Sequence, residues 1–208
     1  MSPELKIKIC GLTNPQDLRL CQDLGVDFTG FIFHPGSPRY VSPEKVGGWS
    51  KGSEIRVGVF VDATVREVLN AADRAGLDMV QLHGGQEPDF CRELGGDMVI
   101  RTFWPERYQS SSAFGGELEK FTPVCRYFLL DAGLSMGGHG RSIACSWLED
   151  VESPVPFLMA GGLGPDNLDL VFKTQAAGVD LNSGVETGPG QKDHERVKKA
   201  VNKLRGIK

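Results

Sequence analysis

Eight short apolar runs, rich in Val, Ile, Leu and Phe, recur along the chain at nearly even intervals, and this spacing restricts its fold more than any other feature. The runs cover residues 5–9, 28–33, 56–61, 79–82, 98–103, 126–130, 156–159 and 179–181. Their mean separation of roughly 25 residues suits one strand, one helix and two short loops. The spacing therefore predicts eight strand–helix units.

Most of the segments between these runs carry apolar residues at spacings of three and four, the pattern of an amphipathic helix. The predicted helices cover residues 14–24, 65–75, 87–94, 165–172 and 192–204. Residues 109–116 are rich in Ser and Gly, so we expect the fifth helix to be short or irregular. Alternation of strands and helices implies that the strands pair in parallel.

Eight such units can form an open doubly wound sheet or a closed barrel. The open sheet usually has a Gly-x-Gly-x-x-Gly loop after its first strand, whereas this chain reads GLTNPQ at residues 11–16. We therefore expect one α/β domain over residues 1–208, a (β/α)8 TIM barrel. Because the loops after the strands build the active site of such a barrel, residues that follow each run are the first functional candidates.

Composition excludes several classes of function. A net charge of -4 without a basic run gives no electrostatic footprint for nucleic acid, so a phosphate must be held by local groups. No segment approaches the ~18 unbroken apolar residues of a membrane helix, and the start of the chain lacks a secretory signal. The five cysteines form no Cys-x-x-Cys pair. We therefore expect a cytoplasmic protein with reduced thiols, no metal and no membrane.

Cys10 and Asp131 are the candidates for acid–base chemistry. Cys10 follows the first run beside Gly11 and is a candidate base or nucleophile, although a lone cysteine also packs as a small hydrophobe. Asp131 follows the sixth run, where burial would raise its pKa toward that of a general acid. A loop or helix-capping aspartate is the alternative for Asp131.

Three further residues are candidates for binding a ligand. Arg39 lies in a loop stiffened by two prolines and can pair bidentately with a carboxylate, or else it is a solvated surface arginine. The fourth run ends in Gln81-Leu82-His83, where alternation places Gln81 and His83 on one face, and both can hydrogen-bond a ligand. A satisfied core histidine is the alternative for His83.

Glycine-rich loops follow the last three runs and predict a phosphate site. Glycines let backbone N–H groups converge on an oxyanion, and the start of a helix adds a favourable dipole. Phosphate sites after strands seven and eight recur in barrel enzymes, although simple glycine turns would explain any one loop. The candidate phosphate-binding residues are Gly138, Gly140, Gly161, Gly162, Ser183 and Gly184.

The strings KICGLT, GFIFHPGSPRYVSPE, VGVF, VQLHG, LLD, AGGL, DLNSGVE and PGQKD together closely resemble the phosphoribosylanthranilate isomerase family of tryptophan biosynthesis. The resemblance runs from residue 8 to residue 193. It implies an Amadori rearrangement that converts N-(5'-phosphoribosyl)anthranilate to 1-(2-carboxyphenylamino)-1-deoxyribulose 5-phosphate. No cofactor or metal is implied, and the partner is a small phosphorylated substrate.

The resemblance also implies a role for each candidate. Cys10 would remove the proton from ribose C2, Asp131 would protonate the ring oxygen, and Arg39 would hold the anthranilate carboxylate. The glycine loops would hold the phosphate, with Asp180 and Asn182 near the ribose or its catalytic residues. Since the ordinary pKa is about 8.5 for Cys and 3.9 for Asp, we expect both pKa values to be shifted toward the working pH.

One loop departs from the family pattern. The family usually reads GG[ST]GK after strand six, whereas this chain has His139 between Gly138 and Gly140, then Arg141. Arg141 can supply the charge of the usual lysine, but His139 is bulkier than Ser or Thr.

Two other functions stay open at this point. One is the related barrel isomerase of histidine biosynthesis, which uses an aspartate base and needs a second phosphate site. The other is a barrel that binds a phosphorylated metabolite without turning it over. A monomer and a homodimer are equally compatible with the sequence.

Overall fold

The computed structural model describes residues 4–131 and 148–206. Eight parallel strands close into a barrel in chain order, with β8 pairing back onto β1. The strands are β1 (Lys6–Ile9), β2 (Phe28–Ile32), β3 (Ile55–Phe60), β4 (Met79–Leu82), β5 (Val99–Phe103), β6 (Tyr127–Asp131), β7 (Phe157–Ala160) and β8 (Gly178–Leu181). The predicted closed barrel is confirmed, and the predicted strands lie within one residue of the observed ones.

Helices occupy most of the connections between the strands. They are α1 (Pro15–Asp23), α2 (Pro43–Gly47), α3 (Val65–Ala75), α4 (Pro88–Leu94), α5 (Ser111–Phe121) and α6 (His194–Leu204). Short 3-10 helices cover Gly96–Met98, Pro105–Arg107, Thr122–Val124, Leu148–Asp150, Leu168–Lys173 and Ser183–Val185. None of the helices in the described ranges is long and apolar enough to cross a membrane.

Two helix predictions were wrong. The Ser- and Gly-rich segment forms the regular helix α5, because Ser110 caps its start and Phe114, Leu118 and Phe121 are buried. The segment predicted as an α-helix over 165–172 forms the 3-10 helix Leu168–Lys173 instead. The α-helix start expected at that point is therefore replaced by a loop and a 3-10 helix.

The residues that face into the barrel are largely apolar at its centre. Phe28, Val57, Met79, Ile100 and Leu129 form one cluster with Ala160, while a larger cluster fills the layer between strands and helices. Since side chains alternate along a strand, Lys6 and Lys8 of β1 share the interior face with Cys10, the residue directly after the strand. Lys8 thus places a charge inside the barrel, directly below the ends of the strands.

A small antiparallel hairpin follows β8. It consists of β9 (Glu186–Gly188) and β10 (Gln191–Lys192), and it lies between the last barrel strand and α6. The hairpin is tied to the first loop of the barrel, since Thr13 Oγ1 donates to Gly190 O at 2.6 Å. The hydrogen bond therefore joins the loop after β1 to the hairpin after β8, at the face of the barrel where the strands end.

Candidate active site

A cavity of about 430 Å³ opens at the carboxyl ends of the strands. This volume lies in the range of small-molecule sites, and the position is the one that barrel enzymes use. Nine of the predicted site residues line it: Cys10, Gln81, His83, Asp131, Gly161, Gly162, Asp180, Asn182 and Ser183. The predicted residues thus converge from β1, β4, β6, β7 and β8.

Cys10 lies immediately after β1, is 3% exposed and borders the cavity. Burial raises the pKa of its thiol above the ordinary value, while the positive charge of Lys8 acts in the opposite direction. The expected shift of the Cys10 pKa toward neutral pH is therefore wrong for this structure, because removal from water outweighs the nearby charge.

Asp131 ends β6 and faces the cavity from a strand that does not neighbour β1. Its side chain is half-buried, and Oδ2 lies 3.9 Å from Nε2 of His83. Burial lowers the pKa of His83 to about 4, so this imidazole is neutral at pH 7. Because β6 and β1 are not neighbouring strands, Asp131 and Cys10 approach the cavity from different sides.

Gln81 links His83 to the wall of the cavity. Its Nε2 lies 3.2 Å from Nδ1 of His83 and 3.4 Å from Oγ1 of Thr102. Its Oε1 is buried without a hydrogen-bond partner among the described residues. A buried acceptor without a partner is costly, so Gln81 is well placed to accept a hydrogen bond from a ligand hydroxyl.

Beneath the cavity, Lys8 and Asp180 form a buried ion pair. Lys8 Nζ donates to Asp180 Oδ1 at 2.9 Å, and their side chains are 0% and 8% exposed. Burial alone would lower the pKa of Lys8, but the charge of Asp180 and the neighbouring Cys10 raise it above its ordinary value. Lys8 is therefore charged although it is fully buried.

Arg39 does not line the cavity, because it is held by a carboxylate of the protein itself. Its Nε and Nη2 donate to Glu186, with Nη2 2.6 Å from Oε2. Glu186 also accepts from Lys192 Nζ at 2.8 Å, and Lys192 donates to Asn182 Oδ1 at 3.0 Å. Although burial alone would raise the pKa of Glu186, these two cations hold it below its usual range. The hairpin thus connects Arg39 to the cavity wall at Asn182.

The backbone after β7 is shaped to face the cavity. Gly161 and Gly162 have φ angles of 112° and 73°, in the region that favours glycine, and both line the cavity. Asn167 fixes the loop, since its Oδ1 accepts from Gly164 N at 2.8 Å and its Nδ2 donates to Gly162 O at 3.1 Å. This loop can present backbone N–H groups to an anion.

Gly184 has a different place from the one predicted. It does not border the cavity, and any side chain at this position would collide with the backbone oxygen of Leu163. Gly184 is needed because the loops after β7 and β8 pack backbone against backbone. Gly138 and Gly140 lie outside the described residues, as do His139 and Arg141.

Sequence reasoning missed four residues that organise the site: Lys8, Asn167, Glu186 and Lys192. A lysine within an apolar strand, two residues before Cys10, was the available signal for Lys8. Asn167 was also detectable, because Asn near a helix start often binds the preceding backbone. Glu186 gave no local signal, since its partner Arg39 lies 147 residues away in sequence. Lys192 became informative only once Glu186 was known to be buried beside it.

A family model described as N-(5'phosphoribosyl)anthranilate (PRA) isomerase matches residues 7–203. The chain belongs to this family. It is 44% identical to the N-(5'-phosphoribosyl)anthranilate isomerase of Maridesulfovibrio salexigens over 194 residues, 93% of this chain and 95% of the relative. The resemblance on which the residue roles depend is thereby confirmed.

Solved structures of the phosphoribosylanthranilate isomerase family agree with the fold. A structure of monomers generated from the dimeric Thermotoga maritima protein superimposes with a TM-score of 0.80 at 30% identity, covering 97% of this chain and 99% of that one. A second structure holds reduced 1-(o-carboxyphenylamino)-1-deoxyribulose 5-phosphate. It gives a TM-score of 0.79 at 28% identity, with 97% and 99% of the chains covered.

Proposed function

We propose that this chain converts N-(5'-phosphoribosyl)anthranilate to 1-(2-carboxyphenylamino)-1-deoxyribulose 5-phosphate, with Cys10 as general base and Asp131 as general acid. The observation that carries this proposal is the convergence of both groups on one cavity from strands that are not neighbours. A ligand between them would have a proton acceptor on one side and a donor on the other. Family membership supports the same reaction.

The reaction requires two proton transfers to open the ring and form an enol amine, and two more to form the ketose. As the bond from ribose C1 to the ring oxygen breaks, Asp131 gives its proton to that oxygen and the anthranilate nitrogen forms a double bond to C1. The Cys10 thiolate then takes the proton from C2, and the electron pair moves toward nitrogen to give an enol amine. Protonation at C1 and loss of the hydroxyl proton give the ketose.

The remaining groups would orient the substrate. Gly161, Gly162 and Ser183 would bind the phosphate through backbone N–H groups and the serine hydroxyl, which explains how a protein of net charge -4 can hold this anion. Gln81, His83, Asp180 and Asn182 border the space left for the ribose. Gly138 and Gly140 would complete the phosphate site.

Arg39 would bind the anthranilate carboxylate while staying paired with Glu186. The hydrogen bonds to Glu186 use Nε and Nη2, which leaves Nη1 for a ligand. Arg39 lies next to the cavity, since its side chain packs against Gly11, the residue after Cys10. A guanidinium fixed by one carboxylate is well oriented to bind a second.

We further propose that the chain acts in the cytoplasm as a single catalytic domain. The described barrel contains every site residue named above except the two in the loop after β6. Of the two assemblies compatible with the sequence we propose the dimer, because the Thermotoga maritima relative is described as dimeric, although the solved structure is of monomers generated from it.

Turnover of freshly generated N-(5'-phosphoribosyl)anthranilate, followed by its anthranilate fluorescence, tests the reaction and both roles. We expect wild-type protein to turn the substrate over and C10A and D131N each to lower kcat by at least ~100-fold, since each removes an acid–base group. The matched controls are Cys21→Ala, a buried thiol outside the cavity, and Asp97→Asn, an exposed carboxylate.

The controls should keep wild-type turnover. Near-normal kcat in C10A or D131N, with circular dichroism unchanged, would remove that residue from the mechanism. A wild-type protein that binds the substrate without turnover would overturn the proposed reaction as a whole.

A further inference from the structure

Lys8 occupies a position that lysine rarely takes. Its side chain is 0% exposed, inside the barrel and below the cavity. Lysine is almost never fully buried without a partner, because removing an ammonium group from water is costly. The proposed reaction gives no role to Lys8 itself, and only Asp180 forms an ion pair with it among the described residues.

The ammonium group of Lys8 lies beside the thiol of Cys10. Lys8 lies in β1 and Cys10 directly after it, and the two groups border the same small space over Gly30 of β2. A Cβ atom placed on Gly30 would lie 2.8 Å from Cys10 Sγ and 3.1 Å from Lys8 Nζ. The absence of a side chain at Gly30 is therefore what allows the amine and the thiol to pack there together.

Of the charges around Cys10, that of Lys8 has the largest effect on the pKa of the thiol. From β8, Asp180 raises the pKa of the thiol, and from the hairpin Lys192 lowers it. Arg39 also faces Cys10 from the loop after β2, but Arg39 and Lys192 both bind the buried carboxylate of Glu186. After burial, which raises the pKa, the charge of Lys8 has the largest effect on this thiol.

We propose that Lys8 is a positioning residue for this reaction, whose buried ammonium group stabilises the thiolate form of Cys10 and is itself held in place by Asp180. The inference rests on the proposed role of Cys10 as the base. Removal of the Cys10 thiol from water disfavours the thiolate that must take the C2 proton. The charge of Lys8 offsets part of this cost of burying the thiolate. Asp180 orients Lys8, but its own negative charge reduces the stabilisation that the thiolate receives.

Two substitutions with opposite expected effects test this inference. Lys8→Met keeps the length of the side chain and removes the charge, so the Cys10 thiolate should become rarer. Asp180→Asn keeps Lys8 and removes the opposing negative charge, so the thiolate should become more abundant. Lys6→Met is the matched control, because Lys6 lies two residues earlier on the same face of β1 and is paired with Asp27 near the surface.

The readout is the rate at which iodoacetamide alkylates Cys10 as a function of pH, measured by mass spectrometry of the peptide that contains it. At pH 7.5 we expect at least a ~10-fold lower rate in K8M, a several-fold higher rate in D180N and an unchanged rate in K6M. Isomerase kinetics should agree, with kcat of K8M lowered by ~10-fold or more at pH 7.5 and recovering as the pH rises, while KM stays within about twofold.

Unchanged alkylation profiles in both K8M and D180N would overturn the inference. If K8M fails to fold, Lys8→Gln takes its place, and an alkylation profile equal to that of wild type in K8Q contradicts the role of Lys8. The alkylation assay needs no turnover, so the two proposals can fail separately. Shifted profiles in an enzyme without isomerase activity would refute the proposed reaction, whereas unshifted profiles in an active, Cys10-dependent enzyme would refute only the role of Lys8.

Discussion

The site contains one buried ion pair and one buried carboxylate that pairs with two cations, and the two arrangements differ in what surrounds them. Lys8 and Asp180 lie in the barrel, whereas Glu186 lies at its edge and is shared by Arg39 and Lys192. Removing one partner of a buried pair leaves an uncompensated charge, which typically costs about 3–5 kcal/mol. Asp180 therefore fixes the position of Lys8, and Glu186 fixes the positions of Arg39 and Lys192.

Glu186→Gln should weaken substrate binding more than it slows the chemical step. The substitution removes the charge that fixes Arg39, while Cys10 and Asp131 keep their places. We expect KM to rise by ~10-fold and kcat to stay within about threefold, both measured by the fluorescence assay. Glu195→Gln, at an exposed glutamate of α6, is the control and should leave both constants unchanged.

An unchanged KM in folded E186Q would show that Arg39 does not need Glu186, or that Arg39 does not bind the carboxylate. E186Q and R39M compared in a double-mutant cycle distinguish these cases. Additive effects on KM would contradict the coupling between the two residues.

At the scale of single residues, the sequence was sufficient to predict site residues whose side chains are typical of acid–base chemistry. Cys10, Asp131 and His83 follow apolar runs, and the closed barrel brings the ends of those runs together. Lys8 and Glu186 could not be placed in the same way. Their partners lie 172 and 147 residues away, so only the closed fold shows which charges meet.

At the scale of elements, local pattern predicted strands better than helices. A strand of the barrel is apolar on both faces and stands out in the sequence. Helix α5 was underestimated because burial of Phe114 and Phe121 outweighs the low helix propensity of its two glycines. The α-helix predicted over 165–172 failed because Asn167 binds the backbone of the loop before it.

Asn167→Ala should loosen the loop after β7 and weaken phosphate binding. Two hydrogen bonds to Gly162 and Gly164 are lost, so the backbone of the loop is no longer fixed against the cavity. We expect KM to rise about fivefold to tenfold and inhibition by inorganic phosphate to weaken by a similar factor, with kcat nearly unchanged.

The control for this loop is Asn70→Ala, at an exposed asparagine of α3. It should leave KM and inhibition by phosphate at wild-type values. If N167A also keeps both values, the loop is rigid without Asn167 and the phosphate contacts do not depend on this residue.

At the scale of the whole molecule, eight evenly spaced runs predicted eight strand–helix units, and closure of the barrel followed from the missing Gly-x-Gly-x-x-Gly loop and from the family resemblance. The electrostatic environment inside the barrel was not predictable, because it depends on how deeply each group is buried. Cys10 shows this most clearly: its role suggested a lowered pKa, yet burial raises it. His83 shows it as well, with consequences for the stability of the folded protein.

As the pH is lowered, the free energy of unfolding should decrease, partly because His83 is protonated at a higher pH in the unfolded chain than in the folded protein. Burial lowers the pKa of His83 to about 4, whereas an unfolded chain has a histidine pKa of about 6.5. Between these values the unfolded state binds a proton that the folded state does not. Stability from this source is complete above pH 6.5 and is lost as the pH falls toward 4.

Urea denaturation of wild type and His83→Gln at pH 7.5 and pH 5.0 measures this contribution. We expect wild type to lose about 1 kcal/mol more than H83Q between the two pH values, a figure that allows for the partial exposure of the imidazole. Glu186 and Asp27 titrate in both proteins, so their contributions cancel in the comparison. Equal losses in the two proteins would mean that water reaches His83 well enough to stabilise its charged form, and that the imidazole beside Asp131 is charged in mildly acidic solution.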